Sequence, residues 1–409
     1  MALFLKRSTN LIKHLTTTNH SSFLRISHNN VCNKTSFLGP LSSVFVRLES
    51  TKAAELKLDS LFYSSEDDEH DHPSSEGMDF PGGKVMFTSQ MSFIAESGKK
   101  RVPCYRVLDD CGEPISGKIH ELYREPGVLL WRGFTLQEFT NQCFGNKADY
   151  GKGRQMPIHY GSNKHNYFTI SSPIATQLPQ AAGAAYSLKI DNKDACVVAY
   201  MGDGCTSEGD FHAGLNFAAV MEVPIVFICR NNGYAISTPI TDQFRSDGVV
   251  VKGQAYGIRS IRVDGNDALA VYNVVQAARE MAISEQRPIL VEALTYRVGH
   301  HSTSDDSTKY RPAEEIEHWK MAKSPVTKFQ KWVERNGWWN EEDELEIRDR
   351  IKKEIIQSIQ VAEKLEKPPI SELFTDVYDQ PTKDLIEQEI LLRETINKHP
   401  KDYPSDVAV

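Results

Sequence analysis

The chain has 409 residues, of which 40% are hydrophobic, 9% aromatic and 25% charged, as in a globular protein rather than a fibrous or wholly disordered one. Its 47 basic and 55 acidic side chains give a formal net charge of −8, which argues against nucleic acid or an anionic membrane as a partner. The 7 cysteines include no Cys-x-x-Cys pair, and no apolar run has the length of a membrane-spanning helix, which argues against a disulfide scaffold, a zinc knuckle and a membrane protein.

Residues 1–48 differ from the rest of the chain because they carry basic side chains and no Asp or Glu. The first acidic residue is Glu49, and apolar residues between Leu3 and Leu15 recur at helical spacing beside basic ones. A basic amphipathic helix of this kind is typical of an organelle transit peptide. We therefore predict a disordered mitochondrial transit peptide over 1–48; a plastid leader and a basic helix belonging to the fold are the alternatives.

Residues 64–77 are acidic, polar and without periodicity, which indicates a solvated linker. A metal site built from the aspartates and histidines of this run is the alternative. We predict an acidic linker and N-terminal extension over 49–95, a main cofactor-binding domain over 96–375, and a C-terminal helical tail over 376–409.

From about residue 154 the sequence alternates short apolar runs with amphipathic helical patterns. Buried parallel strands are predicted at 196–200, 224–229, 257–263 and 288–294. Ser207, followed three residues later by Asp210, predicts a capping box at the start of one intervening helix. The alternation predicts an α/β fold with a doubly wound, mostly parallel sheet, in which ligands bind at the carboxyl ends of the strands.

Two of the predicted strands end in residues suited to a metal ion and a phosphate. Gly202-Asp203-Gly204 follows one strand, and Asn231-Asn232 follows the next strand along the chain. Because parallel strands end at the same sheet edge, the Asp203 and Asn232 oxygens and a nearby backbone carbonyl are expected to meet, as Mg²⁺ requires. The glycines allow a diphosphate to approach the backbone, and the following helix presents its N-terminus. A plain turn is the alternative for Gly-Asp-Gly taken alone.

The segments 202–210 and 230–237 together resemble the thiamin diphosphate motif of 2-oxo acid dehydrogenase alpha subunits. In the segment 295–306, the pair His300-His301 precedes Ser-Thr-Ser-Asp-Asp, which is similar to the branched-chain 2-oxo acid enzyme. The segments 151–159 and 169–177 fit the same subunit. The resemblance implies that the main domain has the thiamin diphosphate-binding fold and that the protein works in the mitochondrial matrix.

The resemblance also implies an activity. Enzymes of this family are oxidoreductases that decarboxylate branched-chain 2-oxo acids and reductively acylate the lipoyl group of an acyltransferase component, in branched-chain amino acid catabolism. The implied cofactors are thiamin diphosphate, Mg²⁺ and K⁺. The implied partners are a beta subunit in an α₂β₂ heterotetramer, the acyltransferase, and a regulatory kinase and phosphatase. The alternatives are a catalytically impaired variant that only binds the beta subunit or kinase, and a pyruvate or acetoin dehydrogenase alpha subunit.

Individual residues acquire expected roles from the same resemblance. His301 is expected to act at the reacting centre and to contact the diphosphate, and Ser302 is expected to be a regulatory phosphorylation site. The expected Mg²⁺ ligands are Asp203, Asn232 and the Tyr234 carbonyl. The expected K⁺ ligands are Ser171, Pro173, Thr176 and Gln177. The other expected cofactor-binding residues are Tyr123, Arg124, Ser172, Ile174, Gly202, Gly204, Cys205 and Arg230.

The chain departs from this family between Asp110 and Tyr123. Family members carry roughly sixty further residues there, and at about 25 cal/mol per Å² even a few hundred Å² of lost apolar cover amounts to several kcal/mol. An internal deletion near 111–122 therefore predicts a chain that folds poorly on its own.

Overall fold

The computed structural model describes residues 45–49, 78–80, 83–85, 87–93, 102–108, 125–405 and 407–408. The acidic run at 64–77, the expected deletion near 111–122, Tyr123, Arg124 and all but the last four residues of the predicted transit peptide lie outside these residues. The chain divides into two compact units. One contains 126–170 and 341–409, and the other contains 15–125 and 171–340.

The second unit is built around a seven-stranded sheet in the spatial order 1-6-7-11-10-5-4. The strands are, in chain order, β1 (Phe45–Glu49), β2 (Met78–Phe80), β3 (Gly83–Val85), β4 (Phe87–Thr88), β5 (Cys104–Tyr105), β6 (Ala195–Gly202), β7 (Ile225–Asn231), β8 (Tyr234–Ala235), β9 (Thr238–Pro239), β10 (Arg259–Asp264) and β11 (Ile289–Leu294). β1 is antiparallel to β6, and the other neighbours in the sheet are parallel. Residues 45–48, the end of the segment expected to be disordered, thus lie in a strand of this sheet. The mostly parallel sheet expected from the sequence is confirmed.

Helices separate β6, β7, β10 and β11 as the alternating pattern predicts. They are α1 (Glu125–Trp131), α2 (Leu136–Phe144), α3 (Gln177–Ile190), α4 (Gly209–Val220), α5 (Ile240–Gln243), α6 (Val250–Gln254), α7 (Ala268–Glu285), α8 (Ala313–Ala322), α9 (Pro325–Arg335), α10 (Glu341–Lys364) and α11 (Lys383–Lys398). None of these helices is long and apolar enough to cross a membrane.

The sheet is covered by helices because its central strands are apolar on both faces. Alternate residues of β6 and β7, such as Val197 and Phe227, share one core cluster with Leu178 of α3 and with Phe211 and Leu215 of α4. Every second residue of a strand faces the same side of the sheet, and residues three or four apart face the same side of a helix, so these side chains pack together. The helix α7 contacts β7, β10 and β11. The core therefore holds the carboxyl ends of the parallel strands at one edge.

The capping box expected at Ser207 and Asp210 is wrong. Residues Asp203–Ser207 form a 3₁₀ turn directly after β6, and α4 begins only at Gly209 with Glu208 as its N-cap. Glu208 makes no side-chain capping bond.

The first unit is mainly helical. Gln137 and Thr140 of α2 each donate a side-chain hydrogen bond of 3.2 Å to the Ser358 carbonyl of α10. The rings of Phe139 and Tyr160 meet edge to face with centroids 4.6 Å apart. Most of α11 is exposed, with Ile396 as its buried residue. The helical C-terminal tail expected from the sequence is therefore present.

Candidate functional site

The ends of β6 and β7 lie side by side, as the parallel register requires. Gly202, the last residue of β6, is paired with Arg230 of β7. The buried carboxylate of Asp203, which is 1% exposed, accepts a hydrogen bond of 3.2 Å through Oδ1 from the Asn232 backbone N–H. The structure thus brings together the two residues that the sequence pattern singles out, although 29 positions separate them in the chain.

The turn after β7 is fixed by its own side chains. Asn232 Oδ1 accepts a hydrogen bond of 3.2 Å from the Tyr234 N–H, and Gly233 has a φ of 83°, which favours glycine. Asn231 Oδ1 accepts a bond of 3.1 Å from the Gly233 N–H, and Asn231 Nδ2 donates one of 2.8 Å to Glu292 of β11. The Asn232 amide and the Tyr234 carbonyl are therefore presented from a turn that is anchored to the sheet.

The electrostatics of Asp203 suit a cation. Burial raises the pKa of Asp203, and the hydrogen bonds from Gln243 and the Asn232 N–H lower it only in part. Gln243 Nε2 donates to Asp203 Oδ2 at 2.8 Å. No three His, Cys, Asp or Glu residues cluster as a metal site within the described ranges, so a divalent ion beside Asp203 would use amide and carbonyl oxygens as well. This mixed oxygen set fits Mg²⁺.

The glycines beside Asp203 have different surroundings. A Cβ added at Gly202 would meet no heavy atom within 4 Å, so the backbone at the strand end faces open space in which a diphosphate could lie. A Cβ at Gly204 would lie 2.7 Å from the Ala235 Cβ, so Gly204 allows the two loops to pack closely. Cys205 is buried, and burial raises its pKa to about 12, so its thiol stays protonated. Arg230 is half-buried at the end of β7.

The loop before α3 gathers several oxygens. The Ser171 and Thr176 hydroxyls lie 2.8 Å apart, and Thr176 Oγ1 donates to the Pro173 carbonyl at 3.1 Å. Gln177 Nε2 donates to the Tyr200 carbonyl at 3.1 Å, while its Oε1 is buried with no hydrogen-bond partner among the described residues. These oxygens fit a monovalent cation. Ser172 and Ile174 are exposed on the same loop.

The histidine loop, residues 297–311, follows the end of β11. His301 donates its backbone N–H to Asp305 Oδ2 at 2.7 Å, and its Nδ1 is buried without a hydrogen-bond partner in the described chain. Burial and the positive charge of Arg297 lower the pKa of His301. The imidazole is therefore neutral at physiological pH. Ser302 is half-buried beside it, with Oγ 3.3 Å from the Ser304 hydroxyl.

Arg297 and Arg311 are site residues that the sequence patterns did not single out. Arg297 donates to the Ile236 carbonyl at 2.6 Å and to the Tyr234 carbonyl at 3.4 Å, which connects the histidine loop to the turn after β7. Arg311 is 2% exposed and donates to the carbonyls of Arg297 at 2.5 Å and Gly299 at 3.1 Å. The available signal was a Tyr-Arg pair at each end of the loop.

Comparison with known proteins identifies the family of this chain. Residues 114–371 match the family model described as the dehydrogenase E1 component. The chain is 58% identical to 2-oxoisovalerate dehydrogenase subunit alpha 1, mitochondrial, of Arabidopsis thaliana, with 90% of each chain covered. It is 60% identical to subunit alpha 2 of the same plant, over 81% of this chain and 83% of that one. The Homo sapiens subunit alpha is 49% identical, over 69% of this chain and 64% of that one.

The alignment with subunit alpha 1 also bears on the expected deletion. It is 431 positions long, yet it covers 90% of 409 residues, or about 368, so about 63 positions face no residue of this chain. That number agrees with the length of the segment expected to be missing.

Proposed function

Since this chain belongs to the dehydrogenase E1 component family, we propose that it is the alpha subunit of the mitochondrial, thiamin diphosphate-dependent branched-chain 2-oxo acid dehydrogenase. It is an oxidoreductase of branched-chain amino acid catabolism that decarboxylates branched-chain 2-oxo acids. The observation that carries this proposal is the meeting of Asp203 and Asn232 at one sheet edge, in a chain 58% identical to a 2-oxoisovalerate dehydrogenase alpha subunit.

Thiamin diphosphate, when bound, supplies a carbanion that attacks the 2-oxo group and a ring that accepts electrons as CO₂ leaves. The chain's own residues bind and orient that group. Asp203, Asn232 and the Tyr234 carbonyl would hold Mg²⁺, and the open backbone at Gly202 leaves space for the diphosphate. Arg230, with Tyr123 and Arg124, would add donors to the phosphate oxygens.

His301 would act where the 2-oxo acid reacts. Its neutral imidazole can accept a proton at one ring nitrogen while the other donates, and Nδ1 has no hydrogen-bond partner among the described residues. The Asp305 carboxylate accepts a hydrogen bond from the His301 backbone N–H and Arg311 donates to the loop upstream, so the backbone that carries the imidazole is fixed before substrate arrives.

The loop before α3 would bind K⁺ through Ser171, Pro173, Thr176 and Gln177. The buried, unpartnered Gln177 Oε1 supports this assignment, because a buried oxygen without a donor is costly unless an ion or water satisfies it. An ordered loop would in turn place Ser172 and Ile174 beside the cofactor.

A beta subunit completes the enzyme, and the acyl group passes to the lipoyl group of the acyltransferase component. Regulation by a kinase and phosphatase would act at Ser302. A phosphate adds about −1.5 to −2 charges, here beside the group that contacts the cofactor diphosphate. Ser302→Glu is therefore expected to abolish decarboxylation in the reconstituted enzyme, whereas exposed Thr303→Glu serves as the matched control. Unchanged activity of Ser302→Glu would exclude this regulatory role.

The proposed activity is tested by co-expressing the chain with a beta subunit and assaying decarboxylation of 3-methyl-2-oxobutanoate with thiamin diphosphate and Mg²⁺. The expected result is turnover of 3-methyl-2-oxobutanoate that requires the chain, the beta subunit, thiamin diphosphate and Mg²⁺, with pyruvate a poor substrate. The alignment positions that face no residue of this chain favour a second candidate function, that of a variant that binds the beta subunit without turnover. Association without decarboxylation would support that candidate, and preference for pyruvate would contradict the branched-chain assignment.

A further inference from the structure

The carboxylate of Asp203 is held by one donor on each oxygen. The backbone N–H of Asn232 donates to Oδ1 at 3.2 Å, and Nε2 of Gln243 donates to Oδ2 at 2.8 Å. The first donor belongs to the turn that carries the other two expected metal ligands, Asn232 and the Tyr234 carbonyl. The second comes from the last residue of α5, a short helix 40 positions along the chain from Asp203. Gln243 was not singled out by any sequence motif.

The orientation of the Gln243 amide is fixed by its neighbours. Besides Asp203 Oδ2, Nε2 donates to the Thr238 carbonyl at 3.1 Å. Both neighbours accept hydrogen bonds only, so a flipped amide would place Oε1 against two acceptors. Nε2 must therefore face Asp203, and Oε1 is left buried without a hydrogen-bond partner in the described part of the chain.

This arrangement is poor as a purely structural device. A buried oxygen without a donor costs free energy, and leucine at the same position would avoid that cost. Glutamine contributes the N–H that faces the metal-ligand carboxylate. Hydrogen bonds to ligating carboxylates commonly set their orientation and the affinity of the site.

We propose that Gln243 is a positioning residue for the divalent cation: its Nε2 fixes the Asp203 carboxylate in the orientation that binds the ion. The inference rests on the proposed function in that it assumes a divalent cation held with thiamin diphosphate at Asp203. Gln243 does not touch substrate, and its contribution is to the affinity for the cation.

The experiment uses the full chain co-expressed with a beta subunit, and Mn²⁺ as a probe for Mg²⁺. Free Mn²⁺ is measured by electron paramagnetic resonance during titration at saturating thiamin diphosphate. Gln243→Leu is expected to weaken Mn²⁺ binding by about 10- to 100-fold. Gln276→Leu is the matched control, because Gln276 makes a similar amide–carboxylate bond, 3.0 Å to Glu280, at an exposed position of α7.

Thermal unfolding without divalent ions separates positioning from a structural role. Gln243→Leu removes a buried unpartnered oxygen and also the donor to Asp203 Oδ2, two effects of opposite sign, so its melting temperature in chelator is expected to stay close to that of the unaltered protein, while the gain on adding Mg²⁺ shrinks. A lower melting temperature in chelator with unchanged Mn²⁺ affinity would overturn the proposal.

For a second variant, Gln243→Glu, we expect the opposite change in the gain of melting temperature on adding Mg²⁺. Gln243→Glu places two carboxyl groups within hydrogen-bond distance, where both cannot ionise without a cation or proton. Its melting temperature in chelator at pH 8 is expected to fall, and the gain on adding Mg²⁺ is expected to exceed that of the unaltered protein. If the unaltered complex binds no Mn²⁺, the proposed function fails. If it binds Mn²⁺ and Gln243→Leu binds equally well, only the role of Gln243 fails.

Discussion

His301 and His300 are adjacent but have different surroundings. His300 Nδ1 accepts a hydrogen bond of 3.0 Å from the Ser307 N–H, whereas His301 Nδ1 is buried without a partner in the described structure. His301→Asn is therefore expected to lower kcat by about 10²- to 10⁴-fold, as loss of an acid–base group does. His300→Asn should lower kcat by less than about tenfold, since it loses only internal hydrogen bonds with the backbone N–H and the hydroxyl of Ser307. Steady-state kinetics with a saturating 2-oxo acid would compare them, and equal losses would refute the distinction.

The pH dependence of kcat follows from the same surroundings. Burial and the Arg297 charge lower the pKa of His301, so the imidazole stays neutral to a lower pH than an ordinary histidine. The acid-side fall of kcat is therefore expected below the ordinary histidine range, and a fall at or above that range would exclude a His301 origin. The lowered pKa also means that its contribution to stability is present above the ordinary value and is lost as pH falls.

The pKa of the buried Asp203 carboxyl shifts in the opposite direction to that of His301, so its contribution to stability has the opposite pH dependence. Burial raises its pKa in the folded chain, so the folded state binds the proton more tightly than the unfolded state does, and stability is lost as pH rises through the folded pKa. Without divalent ions, Asp203→Asn is expected to gain stability relative to the unaltered protein as pH rises from 4 toward 8. Urea unfolding across that range, with and without Mg²⁺, would measure the difference. Mg²⁺ should reverse it, and parallel curves would contradict the assignment.

The sequence predicts the site residues that belong to known motifs, but it does not predict the residues that hydrogen-bond to them or to their loops. Asp203 and Asn232 could be predicted to meet because each follows a strand. Gln243 and Arg311 could not be predicted, because their contacts depend on how two loops fold back over the sheet edge. The roles of Gln243 and Arg311 depend on tertiary contacts, which the spacing of residues in the sequence does not indicate.

Among the elements, the connection between α5 and α6 packs against buried charges of the sheet. Gly248 has a φ of 72°, and an added Cβ would lie 2.7 Å from Glu292 Oε1 and closer still to Arg262 Nη2. Gly248→Ala is expected to destabilise the protein by about 1–3 kcal/mol from overpacking and about 1–2 kcal/mol from the left-handed backbone. Urea unfolding midpoints would measure the sum.

Gly257 is the matched control for that substitution. Its φ is 71°, yet an added Cβ would meet nothing within 4 Å. Gly257→Ala is therefore expected to cost only the backbone contribution, about 1–2 kcal/mol. Equal losses at the two glycines would show that the Arg262 and Glu292 side chains move aside.

The four predicted strands are present, because short apolar runs are a reliable indication of buried strands. Their bounds differ by a few residues, since β6 runs from Ala195 to Gly202 where 196–200 was predicted. The capping box at Ser207 failed because a 3₁₀ turn continues the chain beyond β6 before α4 begins. Local propensity does not predict such a turn.

At the level of the whole molecule, the alignment positions of subunit alpha 1 that face no residue of this chain predict a loss of stability. Inserting the corresponding segment of subunit alpha 1 at the joint near 111–122 is expected to raise the melting temperature and the yield of complex with a beta subunit. The physical reason is restored apolar cover, at about 25 cal/mol per Å² buried. Differential scanning calorimetry and co-purification would report both quantities.

A scrambled insert of equal length and composition is the control for that experiment, because it lengthens the chain without restoring the apolar pattern. If the scrambled and native inserts behave alike, or if the shorter chain is already as stable and as active, the deletion carries no cost.

The enclosed acid at the end of β6 has a consequence for the lifetime of the subunit. A chain that folds without its ion keeps a poorly compensated carboxyl group inside the protein, and ligand binding to the native state returns the lost stability. Chains lacking the ion spend more time open to proteases. An organelle short of magnesium or of the vitamin is therefore expected to hold less of this subunit at an unchanged rate of synthesis, which pulse-chase labelling would show.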